Sequence, residues 1–455
     1  MTWKRAFFSC GASLLFAFCF SVNTAFADVL TLDRVLNQAV ESSYDYKIAK
    51  ITTGISKTDI KIARADYYPQ VQGYFSIERL RNVSGQRPNG AIVGNTVVPG
   101  WTNYQNAAGI NLHQTLWDFG QRRQRLAIAQ SDMASKSLQA EQTVRDLKMH
   151  AVDLYADAFL THQEWHTKTV LVPLYKQLFK LDKILLDKGD LSKQKASDDA
   201  LRLARAMDDA QELEAVYAEK LQALSDLTEV AYDPKDLELS ELSEATPEHH
   251  LFQTVWQPEL SAEAKIYDEE IEKKNREVIL LKRQYLPQLS AYGYYNLYGS
   301  SVQGLHQSLQ DMQSRTVTMG LNMNVPVFDG FRLQGKIEKA KLEAERLKLE
   351  KEKRLKALSK KEARFRKEVR ESQASSTPEN LSSQNTWPSN ISWVEQIKGK
   401  LVALQNIKDE TPMPAKADAL RGIIDQIEQE FADYRLKIQK TAAIRKLSIL
   451  YSGDS

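Results

Sequence analysis

Landmarks in this chain occur twice, in the same order, roughly 215 residues apart, and any fold must accommodate both copies. Tyr68-Pro69-Gln70-Val71 returns as Leu286-Pro287-Gln288-Leu289, each before a short alternating stretch rich in aromatics. Trp117-Asp118-Phe119-Gly120 returns as Phe328-Asp329-Gly330-Phe331, each before a long charged segment. Asp199-Ala200-Leu201-Arg202 returns as Asp418-Ala419-Leu420-Arg421. A period this long marks a duplicated half-protein rather than a solenoid. Each half reads helix, strand pair, very long helical hairpin.

Residues 1–27 read as a secretory signal peptide. Lys4 and Arg5 precede an apolar stretch from Phe7 to Phe20, then Ala25-Phe26-Ala27, so cleavage is expected between Ala27 and Asp28. Both cysteines, Cys10 and Cys19, lie inside it. The exported chain is therefore expected to have no disulfide, thiolate metal site or cysteine nucleophile. A formal net charge of +2 argues against a dedicated polyanion binder. Beyond residue 27 no apolar run is long enough for a transmembrane helix, so any membrane insertion has to use strands.

Period-two alternation marks strands at about 70–80, 106–117, 288–298 and 315–327. In the first, Val71, Gly73, Phe75 and Ile77 oppose Gln72, Tyr74, Ser76 and Glu78. In the last, Val317, Met319, Leu321, Met323 and Val325 oppose Thr318, Asn322 and Asn324. One face then meets lipid and the other water, although a soluble sheet with one wet face alternates in the same way. The Gly/Asn/Pro-rich stretches Asn82 to Asn103 and Gly299 to Gln313 read as exposed hairpin tips. Strands in lipid must close into a barrel, and known barrels begin at about eight strands. One chain supplies half of that, so copies must pool their strands.

The first half is expected over 28–254, with its helical hairpin at about 120–228, and the second over 255–455, with its hairpin at about 331–450. A helix from Gln121 to about Lys188 would span on the order of 100 Å, with Pro173 the one candidate kink. Lys188-Gly189-Asp190-Leu191-Ser192 is its turn. Val144, Leu147, Ala151, Leu154 and Ala158 form the expected apolar stripe going out, and Leu333, Ile337, Ala340, Ala344 and Leu347 its counterpart. Leu420, Ile424, Ile427, Phe431, Tyr434 and Ile438 return. A Ser/Pro/Asn-rich break interrupts the second hairpin at 372–390, and its turn falls at Lys408-Asp409-Glu410-Thr411.

In this order and duplication, from about Leu30 to Leu450, the chain resembles the TolC-type outer-membrane channel family. The resemblance implies a mixed fold: a transmembrane β-barrel, four strands per chain closed by trimerisation, above a long α-helical coiled-coil barrel crossing the periplasm. It implies a passive homotrimeric duct in outer-membrane lipid, serving small-molecule efflux or type I protein secretion. Its implied partners are a periplasmic adaptor (membrane fusion) protein and an inner-membrane pump or ABC exporter. On that likeness Gly189, Leu191 and Ser192 face the adaptor, with Thr411 the counterpart of Ser192. Asp409, Glu410, Asp418 and Asp425 are the candidates for a gate or constriction. The second tip departs from the pattern, with Lys408 at the turn-glycine position and Pro412 and Pro414 just beyond.

Other chemistry has less support. His162-Gln163-Glu164-Trp165-His166 places two imidazoles one helical turn apart, but not in the zinc-protease order, and is expected to be a surface pair. In Lys336 to Arg370 basic residues outnumber acidic ones about two to one, yet glutamates at helix-pairing spacings favour a solvated coiled-coil face over nucleic-acid binding. No cofactor or nucleotide fingerprint is present, so the reading is not an enzyme. The alternative is a periplasmic coiled-coil adaptor or scaffold without a barrel.

Overall fold

Two prolines and two left-handed turns delimit the membrane-facing part of the molecule. The structure, a computed structural model, describes residues 28–79, 90–93, 96–99, 104–234, 237–242, 257–374, 393–405 and 412–451. Ala27 and the signal peptide, most of the 372–390 break, and Asp409, Glu410 and Thr411 lie outside the described residues.

From the N-terminal side, β1 (Asp28–Leu30) precedes α1 (Leu32–Ser42) and α2 (Tyr44–Ala65). Pro69 cannot continue a helix and holds its neighbour extended, and β2 (Gln70–Arg79) starts there. A small hairpin, β3 (Gly90–Val93) and β4 (Thr96–Pro99), comes before β5 (Tyr104–Trp117). The helices α3 (Gln121–Asp187) and α4 (Lys193–Thr228) then run out and back, followed by β6 (Leu237–Leu239). The second half repeats this as α5 (Ala262–Arg283), β7 (Gln288–Ser301), a short α6 (Leu305–Gln310), β8 (Ser314–Asn324) and α7 (Arg332–Ala374). It ends with α8 (Trp393–Gln405) and α9 (Met413–Tyr451).

The repeated aromatic-Asp motif builds each switch from strand to helix. Asp118 Oδ1 accepts from Gly120 N at 3.0 Å and its Oδ2 from Arg122 N at 2.8 Å. Asp329 Oδ2 accepts from Leu333 N at 2.9 Å. The carboxylates thus cap amides that the first helical turn leaves free. Two successive left-handed residues make each corner: Phe119 and Gly120 (φ 51 and 80), then Gly330 and Phe331 (φ 68 and 62).

The strands form an antiparallel sheet in the order β2-β5-β7-β8. Below it the helices pack in the matching order, α2 on α3, α3 on α5 and α5 on α7. Each strand is therefore continued by its own helix, and β2 and β8 leave matching open edges. Farther from the sheet, β1 and β6 pair in parallel and clamp α3 at mid-length. The Tyr155 hydroxyl is shared between the carbonyls of Leu30 (2.8 Å) and Ser240 (2.6 Å).

α3 runs 67 residues through Pro173 without ending, about 100 Å of helix. Its expected stripe is corrected by one register. Ala151 and Ala158 are buried, but Val152, Tyr155 and Phe159 fill the centre, while Val144, Leu147 and Leu154 are half-buried. The reason is that α3 packs against α1, α4 and α9 at once, so its buried face is wider than one coiled-coil seam. The stretch 299–313 is also not a simple exposed tip. Within it α6 folds back onto the sheet, and Ser308 is fully buried against Asn106 and the Gly299 carbonyl.

Candidate functional site

Alternation along the strands produces two chemically different faces. Val71, Phe75, Ile77, Ile110, Leu112, Val317, Met319, Leu321 and Met323 share one face and are all exposed, Met319 by 80%. No soluble core covers them, and this is the surface a hydrocarbon solvent satisfies. The opposite face carries Gln72, Ser76, Asn111, His113, Ser290, Asn322 and several tyrosines. There Tyr74 donates to Asn296 Oδ1 at 2.8 Å across β5. Gly109 makes room for it, since a Cβ there would come within 2.8 Å of the Tyr74 ring and 2.5 Å of Asn296 Oδ1. Where strands meet helices, Tyr67, Tyr68, Trp117, Phe119, Tyr285, Phe328 and Phe331 stand exposed. This is the aromatic girdle of a bilayer interface. Among the described residues no helix is long and apolar enough to cross a membrane.

About 100 Å away the α3–α4 hairpin turns. Gly189 adopts φ +79, which only glycine takes without strain. Asp190 N donates to Leu185 O (2.9 Å) and Gly189 N to Leu186 O (3.0 Å), closing the helix end. Leu191 packs on the core, and Ser192 caps α4 by accepting from Lys195 N at 3.3 Å. The three expected adaptor-facing residues therefore share one rigid turn.

Near this tip an ion-pair cluster joins three helices. Arg421 on α9 donates through Nε to Asp199 on α4 at 2.8 Å, through Nη2 to Asp182 on α3, and through Nη1 to Asp418 at 2.9 Å. Lys195 also reaches Asp418 (3.4 Å), and Arg202 pairs with Asp425 at 2.9 Å. Asp182 and Asp199 are buried, whereas Asp418 and Asp425 are exposed. Burial, helped by its neighbour Asp199, pushes the Asp182 carboxyl above the usual range even though Arg421 opposes the shift. Lys195 and then Arg421 hold Asp418 below that range. Of the sequence candidates, Asp418 and Asp425 thus sit in one network, while Asp182, Asp199 and Arg421 were not singled out as site residues. The doubled Asp-Ala-Leu-Arg motif was the available signal. Its Asp199 pairs with the second copy's Arg421, so the repeat is a contact between the two halves.

The histidine pair is not on the surface as expected. His162 is buried, its ring 4.6 Å from that of His166 and 4.7 Å from that of Tyr217. α3 turns this face inward toward α4, so His162 belongs to the core and His166 is half-buried at its edge. Among the described residues no group of three His, Cys, Asp or Glu side chains is placed to hold a metal ion. Burial, with the charge of His166 adding, holds His162 down to about 4 from its ordinary 6.5. An unfolded chain therefore takes up a proton that the folded one refuses. The stability present above about pH 6.5 is lost as pH falls toward 4, up to about 3 kcal/mol per chain. Thermal midpoints of the detergent-solubilised protein are expected to fall across that window, and His162→Gln to flatten the slope. Identical slopes would remove His162 as the cause.

A sheet with one exposed apolar face and two open edges, continued by helices up to about 100 Å long, is the architecture of a protomer that needs further copies to close a barrel. Among known proteins, residues 35–228 match the family described as outer membrane efflux protein. No curated protein matches the sequence. The fold is similar to that of the outer-membrane channel OprN, at 18% identity, covering 93% of this chain and 90% of that one, with a TM-score of 0.66. It is also similar to CusC (14%, 93% and 92%, TM-score 0.61) and to the CmeC outer membrane channel of Campylobacter jejuni (16%, 93% and 86%, TM-score 0.62). The chain thus carries a segment that matches the outer membrane efflux protein family and has the fold seen in outer-membrane channels.

Proposed function

We propose that the protein is the outer-membrane exit duct of a tripartite export system, a passive homotrimer. Two readings of its cargo stand side by side, small molecules in efflux or proteins in type I secretion. The observation that carries the proposal is the coincidence of sheet order and helix order. β2 and α2 form one open side of the protomer, β8 and α7 the other. Along α2 the exposed apolar residues Tyr44, Ile48, Ile51, Ile55 and Ile62 make a stripe separate from the face packed on α3. Along α7, Leu342 and Leu349 lie opposite the core stripe of Leu333, Ala340 and Leu347. Copies joined α2 to α7 and β2 to β8 cover both stripes and pair both strand edges in one operation.

In this reading a periplasmic adaptor docks on Gly189, Leu191 and Ser192, with Thr411 as the weaker second-half counterpart, and an inner-membrane pump supplies the energy. The tip opens when the α8–α9 hairpin swings from α3–α4, and Asp409, Glu410, Asp418 and Asp425 are the acidic groups of the constriction. A photocrosslinker at Ser192 tests the partner directly. It is expected to trap a periplasmic adaptor in intact cells, whereas a crosslinker at Lys57, high on α2, does not. Capture of no adaptor from Ser192, or the same yield from both positions, would remove the tripartite assignment.

A further inference from the structure

We propose that the distal rim of the sheet is a binding surface for the phosphorylated glycolipid of the outer leaflet, held by Arg79 and Arg315 over the apolar side of α6. The proposal rests on the outer-membrane location, and not on the exit-duct reading. The strands meet their helices at Gln70, Trp117, Gln288 and Asn324, so the opposite ends, at Arg79, Tyr104, Ser301 and Ser314, point out of the cell. Strand parity then fixes the faces. Arg79 follows Phe75 and Ile77 on the lipid side, and Arg315 precedes Val317 and Met319 on the same side. Both arginines are exposed. Neither has a carboxylate within ion-pair distance among the described residues. The Arg79 guanidinium lies 5.4 Å over the Tyr104 ring, which itself belongs to the lipid-side set.

α6 occupies this same side. Asn106 and Gly299 are opposite one another in register and share parity with Ile77 and Leu297, and it is onto them that Ser308 docks. A Cβ at Gly299 would come within 2.1 Å of Ser308 O, so glycine is what lets the helix lie flat on the strand. Pinned by Ser308, α6 leaves Val302, Leu305 and Leu309 exposed beside the apolar band of the barrel wall. The rim therefore offers an apolar shelf continuous with the lipid-facing surface, with one arginine on each edge strand, Arg79 on β2 and Arg315 on β8.

Charge completes the argument. From Arg79 to Trp117 the sequence holds no Asp or Glu, and from Tyr285 to Phe328 the only acid is Asp311, in the turn after α6. Neither stretch contains a lysine, although the helices are full of them. Arginine alone presents a planar fork that grips a phosphate through two parallel hydrogen bonds, and it is less strongly hydrated than an ammonium. Positive forks beside an apolar shelf match a headgroup in which phosphates and acyl chains are joined.

The test uses the full-length oligomer in detergent, incubated with lipid A bearing both phosphates, with chemically dephosphorylated lipid A, or with inorganic phosphate, and read by native mass spectrometry. The wild type is expected to retain the phosphorylated form about tenfold better than the dephosphorylated one. The double variant R79Q/R315Q should retain the two equally, and L305N/L309N should weaken both. Millimolar inorganic phosphate should not compete. Equal retention of the two lipids by the wild type, unchanged discrimination in R79Q/R315Q, or displacement by inorganic phosphate would each overturn the proposal. Heat-resistant migration of each variant reports folding. Loss of conductance with lipid discrimination intact strikes the duct reading alone.

Discussion

Replacing Arg421 with alanine is expected to leave the protein folded and oligomeric but to raise its single-channel conductance several-fold in planar bilayers. Arg421 is the cation shared by Asp182 and Asp199, whose side chains are only 2% and 7% exposed. Removing it strands two carboxylates in a poorly solvated seam between α3, α4 and α9. Breaking a buried pair from one side costs about 3–5 kcal/mol, because the orphaned charge stays behind. The stranded carboxylates repel each other, and the α9 hairpin has lost its link to the first hairpin. The least costly relief is for the helices to part and let water in. By contrast, Asp418→Asn or Asp425→Asn removes an exposed partner and is expected to cost about 0–1 kcal/mol, with a smaller change in conductance than Arg421→Ala. Arg421→Lys keeps the charge but loses the fork, and should fall between. Acidification should reverse part of the alanine effect. Asp182, whose carboxyl is already pushed up by burial and by Asp199, takes a proton first and then donates to Asp199 instead of repelling it. Wild-type conductance in the alanine variant at neutral pH would show that this cluster does not hold the tip closed.

What the sequence could show was set by distance along the chain. The four strands were legible because alternation is local and lipid demands it at every second residue. The turn at Gly189 was legible because its hydrogen bonds span only a few residues. The Arg421 cluster was not, since its partners Asp182 and Asp199 lie 239 and 222 residues away. Only the duplicated motif linked them, and a repeat alone does not say that its copies touch. The histidines misled for a related reason. Periodicity shows that His162 and His166 share a face but not that Tyr217, from α4, covers it. Likewise nothing local in Leu305 to Gln310 says that this segment folds back. That depends on a missing side chain at Gly299 and on Asn106, about two hundred residues earlier.

The largest effect is expected at the seam between copies. Around α2 three faces can be separated. Ser56 and its neighbours face α3, Lys50, Lys57 and Lys61 form a polar side, and Tyr44, Ile48, Ile51, Ile55 and Ile62 make an exposed apolar stripe, Ile51 by 65%. In an isolated protomer these residues stand exposed to solvent, and each would recover up to about 1.5–3 kcal/mol when fully covered. In the proposed ring they meet the Leu342 and Leu349 side of the next copy's α7, directly below the β2–β8 junction. Ile51→Asp puts a carboxylate into that seam, where burying an unpaired charge costs several kcal/mol. Rotational symmetry repeats the penalty at every interface of the ring, so the oligomer loses a multiple of it. Light scattering in detergent is then expected to find monomers in place of trimers, and bilayers to show no channels. Circular dichroism should be unchanged, because the altered position does not face the protomer's own core. Lys57→Asp, on the polar side of the same helix, is the matched control and should assemble normally. A trimer of Ile51→Asp with wild-type heat resistance would mean that the isoleucine stripe is not the seam, and that the two open edges close in some other way.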